Sequence, residues 1–214
     1  MKARRLAAMS LLLTLTLATA ACGGRKTLED GGVYTRRSAC PQVAIPAATG
    51  DITLFSPTGS TDAAAIDVVA TMTNVRSTCA EADPVVSSAT FDVVATRREA
   101  GAARTVVLPF FDVAMQGGND VVAKRVGQVA VNFAAGSLRG SGAGQASVRI
   151  ARSATVLPDS VRTELTRPRK SGEVDAAIDP MSDPKIRAAV ARATFEHLIG
   201  FNLSQEQLQY NARR

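Results

Sequence analysis

Residues 89–96, ATFDVVAT, decide the fold. Small and apolar side chains stand at every odd position of this stretch, and Thr90, Asp92 and Thr96 stand at even ones. Residues 66–73, IDVVATMT, repeat the alternation with Ile, Val, Ala and Met at the even positions. Successive side chains of a strand point to opposite faces, so this period of two predicts strands buried on one face.

Further stretches with the same pattern follow along the chain. Residues 105–115 (TVVLPFFDVAM), 129–133, 146–156 and 196–203 read as strands, separated by turns at 98–104 (REAGAAR) and 117–120 (GGND). Residues 136–145, GSLRGSGAGQ, read as a glycine-rich turn. About six short strands in sequence are typical of an antiparallel immunoglobulin- or fibronectin-like β-sandwich, with a partly open barrel as the alternative. Pro109 cannot donate a ladder hydrogen bond, which predicts a sheet edge or a bulge there.

The carboxy-terminal part departs from this pattern. The segment from Asp159 to Asp183 is polar and contains Pro168 and Pro180, so we expect a long surface loop. Ser182 or Asp183 could cap a helix with Pro184 in its first turn, which predicts the start of a helix there. Ser204 and Gln207 have the spacing of a capping box, which predicts a short C-terminal helix.

The amino terminus has the layout of a secretory signal. Lys2, Arg4 and Arg5 precede an apolar run without acidic residues that extends from residue 6 to 21, too short to span a bilayer as a helix. Small residues lead into Cys22, and TAAC (19–22) resembles the lipobox of bacterial lipoproteins. That resemblance implies cleavage after residue 21 and attachment of diacylglycerol and palmitate to Cys22. In the same family, a glycine rather than an aspartate after the cysteine, here Gly23, implies sorting to the outer membrane. Glycine and charges of both signs then predict a flexible tether over residues 22–39.

The charge of the chain favours an ordinary soluble surface. The formal net charge is +6. Removal of the three basic residues of the signal leaves 22 Lys and Arg against 19 Asp and Glu, a net charge of +3. This excess is too small to predict a nucleic-acid partner, and we expect none.

Cys40 and Cys79 are the two cysteines of the chain other than Cys22. Paired cysteines in an oxidising periplasm are usually disulfides, and closing such a loop would stabilise the fold by roughly 4 kcal/mol. A metal or redox pair is the competing interpretation. It lacks a CxxC motif, and His197 is the single histidine of the chain, so we expect neither a metal site nor a cofactor.

Several of these segments together resemble a family of uncharacterised lipoproteins of alphaproteobacterial envelopes. They are SACPQVAI around Cys40, STC at Cys79, LPFFDVAM, VVAKRV and the ending LIGFNLSQEQLQYN. The resemblance implies an envelope location and one β-sandwich domain over residues 40–214, in which about 159–193 form a loop and helix insertion. It implies no activity.

Four other segments are candidates for a catalytic, phosphate-binding, calcium-binding or lipid-contact site. His197 could serve a hydrolase with a serine, but the sequence offers it no assigned partner. Gly136, Gly140, Gly142 and Gly144 lack the setting of a phosphate-binding loop. Asp175, Asp179 and Asp183 lack the order of a calcium loop. Arg167, Arg169 and Lys170 form the densest basic patch and could contact anionic lipid surfaces.

The sequence therefore predicts no catalytic residues. We expect an outer-membrane lipoprotein that is not an enzyme and that acts as a periplasmic binding or scaffolding module for another envelope protein. A small-ligand or lipid carrier is the alternative, followed by a hydrolase.

Overall fold

The computed structural model describes residues 37–168, 172 and 177–213. The chain divides into two compact units. Residues 37–165 together with 179–214 form the larger one, here called the β domain. Cys22, the signal segment and most of the tether lie outside the described residues.

The β domain is built on eight strands. They are β1 (Gln42–Ala44), β2 (Asp51–Phe55), β3 (Ile66–Ala80), β4 (Val85–Arg97), β5 (Arg104–Gln116), β6 (Asp120–Phe133), β7 (Arg139–Ile150) and β8 (Phe195–Phe201). Three α-helices accompany them: α1 (Asp159–Thr166), α2 (Pro184–Arg192) and α3 (Gln205–Ala212). Short 3-10 helices lie at Ala63–Ala65, Arg152–Thr155 and Pro180–Ser182.

The strands form one curled, mixed sheet in the order β1-β8-β5-β6-β7-β4-β3-β2. β1 and β8 pair in parallel, and the other neighbours pair antiparallel. β6 and β7 meet at two positions, Asn132 opposite Ser141 and Phe133 opposite Gly140. The sheet curls at this corner, where β6 and β7 share only these two pairs in the described structure.

The bend brings the inner faces of the two halves of the sheet together over one main core. Phe91 of β4 and Phe110 of β5, from opposite halves, pack edge to face with ring centroids 5.1 Å apart. The predicted alternation is confirmed, since Val68, Ala70 and Met72 are buried on β3 and the odd positions 89–95 are buried on β4.

The predicted glycine-rich turn is wrong, because most of it is strand β7. The turn ends before Arg139, and Gly140, Gly142 and Gly144 lie on the inner parity of the strand. A Cβ at Gly142 would lie 2.2 Å from the carbonyl oxygen of Ala130 on β6, and one at Gly144 would lie 2.3 Å from the Phe91 ring. These glycines therefore allow close approach at the corner rather than mobility.

Pro109 lies within β5, an interior strand, where the sequence predicted an edge or a bulge. Its carbonyl accepts a hydrogen bond from the Asn202 N–H at 2.9 Å, just past the last residue of β8, Phe201. The N–H that proline lacks would point to that same side. The strand tolerates Pro109 because its neighbour β8 ends there.

The helices agree with the sequence in part. Asp183 caps α2 with Pro184 in its first turn, and Ser204 forms the predicted capping box with Gln207. The long loop expected from residue 159 is wrong at its start, where Asp159–Thr166 is the helix α1. Its proline-containing part begins only at residue 167, because DSVRTELT itself contains no proline or glycine.

Arg97 closes the end of the domain opposite to its first described residue. The side chain is buried, and its guanidinium donates to the carbonyls of Gly101, Ala102, Ala134 and Ser137 at 2.7–3.2 Å. One side chain thereby ties the β4–β5 turn to the β6–β7 turn.

The mainly β class and the short C-terminal helix are confirmed. The sheet is a single one, and the immunoglobulin- or fibronectin-like sandwich stays a prediction. Within the described residues, no helix is long and apolar enough to cross a membrane.

Candidate functional site

The single histidine lies inside the β domain between two polar partners. His197 is 0% exposed and Ser87 1% exposed. The Nδ1 atom of His197 lies 3.0 Å from the Ser87 hydroxyl, and its Nε2 atom lies 2.9 Å from Asp112 Oδ1. The triplet joins β4, β5 and β8, and it lies between aromatic and aliphatic side chains of the core.

Asp112 is the hub of this network. Its second oxygen, Oδ2, accepts hydrogen bonds from the backbone N–H of Ser147 on β7 at 3.1 Å and from Arg125 on β6 at 3.2 Å. Burial by itself raises the pKa of the Asp112 carboxyl, but the hydrogen bonds from His197 and Ser147 outweigh it and hold that pKa below its ordinary value. Asp112 therefore bridges both halves of the sheet as a carboxylate.

The protonation pattern follows from the partners. A carboxylate only accepts hydrogen bonds, so Nε2 of His197 donates to Asp112. In the neutral ring, Nδ1 then accepts from the Ser87 hydroxyl. This order of serine, histidine and aspartate matches the relay of serine hydrolases, with the two ring nitrogens exchanged.

The network of Ser87, His197 and Asp112 differs from a catalytic relay because a substrate cannot reach its serine. A nucleophilic serine must reach a substrate carbonyl, and the Ser87 side chain is enclosed on the inner face of β4. Arg125 covers Asp112 from the surface side. The geometry therefore supports a buried clamp that fixes β4, β5, β7 and β8 relative to one another.

The sequence contains a signal for this clamp that was missed. Ser87, Asp112 and His197 each occupy the inner parity of a strand on which most of the other buried residues are apolar. A polar residue at such a position needs a buried partner, and three of them on separate strands can supply one another. No partner of His197 could be assigned from the sequence, and the structure supplies Ser87 and Asp112.

One open backbone edge belongs to β6. In the described part of the chain, Ala123–Gln128 pairs with β5 on one side and with no strand on the other, whereas β7 already lies against the Ala130 carbonyl. Residues 118–126 are all exposed, among them Val126 with 56% of its surface accessible. Lys124 and Arg125 lie within this edge. Unpaired N–H and C=O groups beside exposed valines form a template for an added strand.

Other edges are less open. The Asn211 side chain of α3 donates to the carbonyls of Ala48 and Asp51, and Tyr210 packs edge to face on Phe55 of β2. β3 extends past β2, but a register shift between Thr73 and Arg76 and polar side chains interrupt that edge. β7 also extends past its two pairs with β6, but its Ser147 N–H donates to Asp112 on that side. The edge of β6 carries the exposed Val126.

A shallow cavity of about 330 Å³ lies beside the register shift of β3. Asn74, Thr90, Asp92 and Gln145 line it together with Phe91 and the small residues of β7. Asn74 already donates to the Asp92 carboxylate at 2.6 Å. The cavity lies apart from His197 and contains no ring exposed for stacking, because Phe91 is buried.

The predicted disulfide between Cys40 and Cys79 is confirmed, with Cα atoms 6.0 Å apart. Nearby contacts fix the same part of the chain. Arg37 donates to the carbonyls of Thr155 and Ala193, and Ser38 donates to Glu81 at 2.5 Å. Burial lowers the pKa of Arg37. The first described residues, 37–40, are therefore fixed to the β domain by hydrogen bonds and by the disulfide.

The remaining predicted residues are dispersed. Arg167 follows α1 directly and is exposed, whereas Arg169 and Lys170 lie outside the described residues. Asp179 and Asp183 each accept a backbone N–H at the start of a helix, which explains their spacing without calcium. Asp175 and the lipidation site Cys22 also lie outside the described residues.

Comparisons of this chain with protein-family models, with curated proteins and with solved structures found no match. The resemblance to envelope lipoproteins therefore stays a prediction.

Proposed function

We propose that this protein is an outer-membrane lipoprotein, anchored through Cys22, whose β domain is a noncatalytic binding or scaffolding module for another envelope protein. The observation that carries the proposal is the free edge of β6, Ala123–Gln128. An extended segment of a partner would add to this edge by main-chain hydrogen bonds, and Val126 would contact its side chains. We further propose that the curled sheet is related to immunoglobulin-like sandwiches.

The buried network favours this function over hydrolysis. Ser87 and His197 have the residue types of a relay, but a substrate would have to displace core residues to reach them. Asp112 uses both oxygens to join strands of the two halves. A clamp that rigidifies the sheet holds β6 in place, which lowers the entropy cost of adding a strand.

The carrier alternative has less support. Aromatic and aliphatic side chains, among them Phe91, Phe110 and Phe201, fill the space between the two inner faces. The cavity of about 330 Å³ opens beside the β3 register shift instead, and its polar lining does not match an acyl chain. Mass spectrometry of the protein purified from membranes tests the carrier function. A small molecule that copurifies would favour it, and the absence of one would count against it.

Anchoring is tested by labelling. Cells fed radiolabelled palmitate should mark the wild-type protein and leave a Cys22→Ser variant unmarked and unanchored. Label on the variant, or none on the wild type, would remove the lipoprotein part of the proposal.

Docking at the edge is tested by site-specific photocrosslinking in intact envelopes. A benzoylphenylalanine at Val126 should give one discrete crosslinked species. The matched control is Val94, 50% exposed but on β4, a strand that is paired on both sides. Equal crosslinking from both positions, or none from Val126, would refute docking at this edge.

A further inference from the structure

One end of the β domain, here called the root end, is where the described chain begins. It consists of residues 37–40, 79–83, 117–122, 151–156 and 192–194. Direct contacts join these segments. Arg37 reaches the carbonyls of Thr155 and Ala193, the disulfide joins residues 40 and 79, and the Gly117 N–H donates to the Thr194 carbonyl at 3.0 Å.

Three exposed valines lie at this end. Val121 and Val122 follow the β5–β6 turn, and Val156 follows the carbonyl that accepts from Arg37. Their exposed fractions are 57%, 50% and 55%. A register shift between β5 and β6 falls opposite Val122, so the regular pairing that orders Ala123–Val131 is interrupted there. These side chains therefore remain apolar surface without a partner in the described structure.

The charges of the root end offset one another. Arg152 donates to the Glu81 carbonyl at 2.6 Å, and its guanidinium lies 3.9 Å from the Glu81 carboxylate. The nearby backbone N–H of Arg152 donates to Asp83. A surface of this kind has little net field, so its attraction to a partner would be apolar rather than electrostatic.

The chain length outside the structure decides which partner lies within reach. Fourteen residues, 23–36, lie between Cys22 and Arg37 in the sequence. The flexible tether predicted from the sequence would give them a root-mean-square span of roughly 20 Å. The 13 residues of β4 extend over roughly 40 Å. An anchor at Cys22 therefore keeps the root end near the bilayer, while the turns tied together by Arg97 lie farther away.

We propose that the root end rests on the lipid surface, with Val121, Val122 and Val156 in the interfacial region. This inference rests on the proposed anchoring through Cys22. It orients the domain, since β6 then runs away from the membrane and presents its free edge to the periplasm. Because the contact is apolar, salt should change it little.

The chain contains no tryptophan, so one introduced residue is a clean fluorescent reporter. The lipidated full-length Val122→Trp variant is reconstituted in phosphatidylethanolamine and phosphatidylglycerol vesicles, with and without brominated acyl chains. The control is Val94→Trp, because both valines are 50% exposed and Val94 lies on a paired interior strand. We expect at least twofold stronger bromine quenching at 122 than at 94, unchanged in high salt.

Val156→Trp repeats the measurement from a separate segment, in case the β6 variant does not fold. Circular dichroism confirms the fold of each variant that is scored. Quenching at 122 and 156 no greater than at 94, in protein that carries palmitate, would overturn this inference alone. Absence of palmitate on the wild-type protein would instead overturn the anchoring on which it rests.

Discussion

Replacement of Asp112 by asparagine tests the buried clamp most severely. The carboxylate accepts three hydrogen bonds, from His197, Ser147 and Arg125. An amide has one acceptor oxygen, so its NH₂ group would face at least one of these donors. Leaving a buried donor unsatisfied costs about 1–3 kcal/mol, and hydrogen bonds to a charged group lie at the upper end of this range. We expect a loss of about 3 kcal/mol in the free energy of unfolding.

For a domain of this size, that loss corresponds to a fall in Tm of about 6–12 °C. The measurement is urea unfolding followed by circular dichroism at pH 7. The matched control is Asp67→Asn. Asp67 accepts two hydrogen bonds from Arg104 at the surface, where such a pair contributes about 0–1 kcal/mol. A cost at Asp112 within about 1 kcal/mol of the cost at Asp67 would refute the clamp.

The stabilisation that Asp112 provides should also depend on pH. The pKa of Asp112 is lowered in the folded state, so its contribution is complete above the unfolded pKa of about 3.9 and is lost as the pH falls through the folded-state value. The stability difference between wild type and Asp112→Asn should therefore shrink below about pH 4. A difference that is constant from pH 7 to pH 2 would contradict this assignment.

Three further perturbations address the rest of the fold. Gly142→Ala should cost about 1–3 kcal/mol because the added Cβ meets the Ala130 carbonyl, whereas Gly101→Ala, with its nearest neighbour at 3.9 Å, should be neutral or slightly stabilising in the same urea titration. Arg97→Met should cost about 2–4 kcal/mol and speed amide exchange in residues 98–103 and 134–138, since four carbonyls lose their donor; unchanged exchange there would count against its role. Reduction of the disulfide at Cys79 should lower stability by about 4 kcal/mol, measured by thermal unfolding with and without reductant.

Much of the strand content could be predicted from the sequence. The odd positions of β4 and the even positions of β3 follow the parity of burial, because each strand has one face on the core. The helix starts at Asp183 and Ser204 followed from capping chemistry, which is local.

The errors concern close approach between distant segments. Gly142 is typical of a turn in isolation, and only the Ala130 carbonyl of β6 explains its place in a strand. The partners of His197 were missed because Ser87 and Asp112 are 110 and 85 residues away in the chain. Their shared inner parity was visible, but strand order decides whether such residues meet.

Strand addition at β6 is tested most directly by amide hydrogen exchange. The protein is compared in its native envelope membranes and after extraction and dilution in detergent. Docking at the edge predicts that alternate amides of Ala123–Gln128 exchange quickly in the diluted protein and at least tenfold more slowly in the membranes, with β4 unchanged. Equal exchange along β6 in both states would contradict the central proposal.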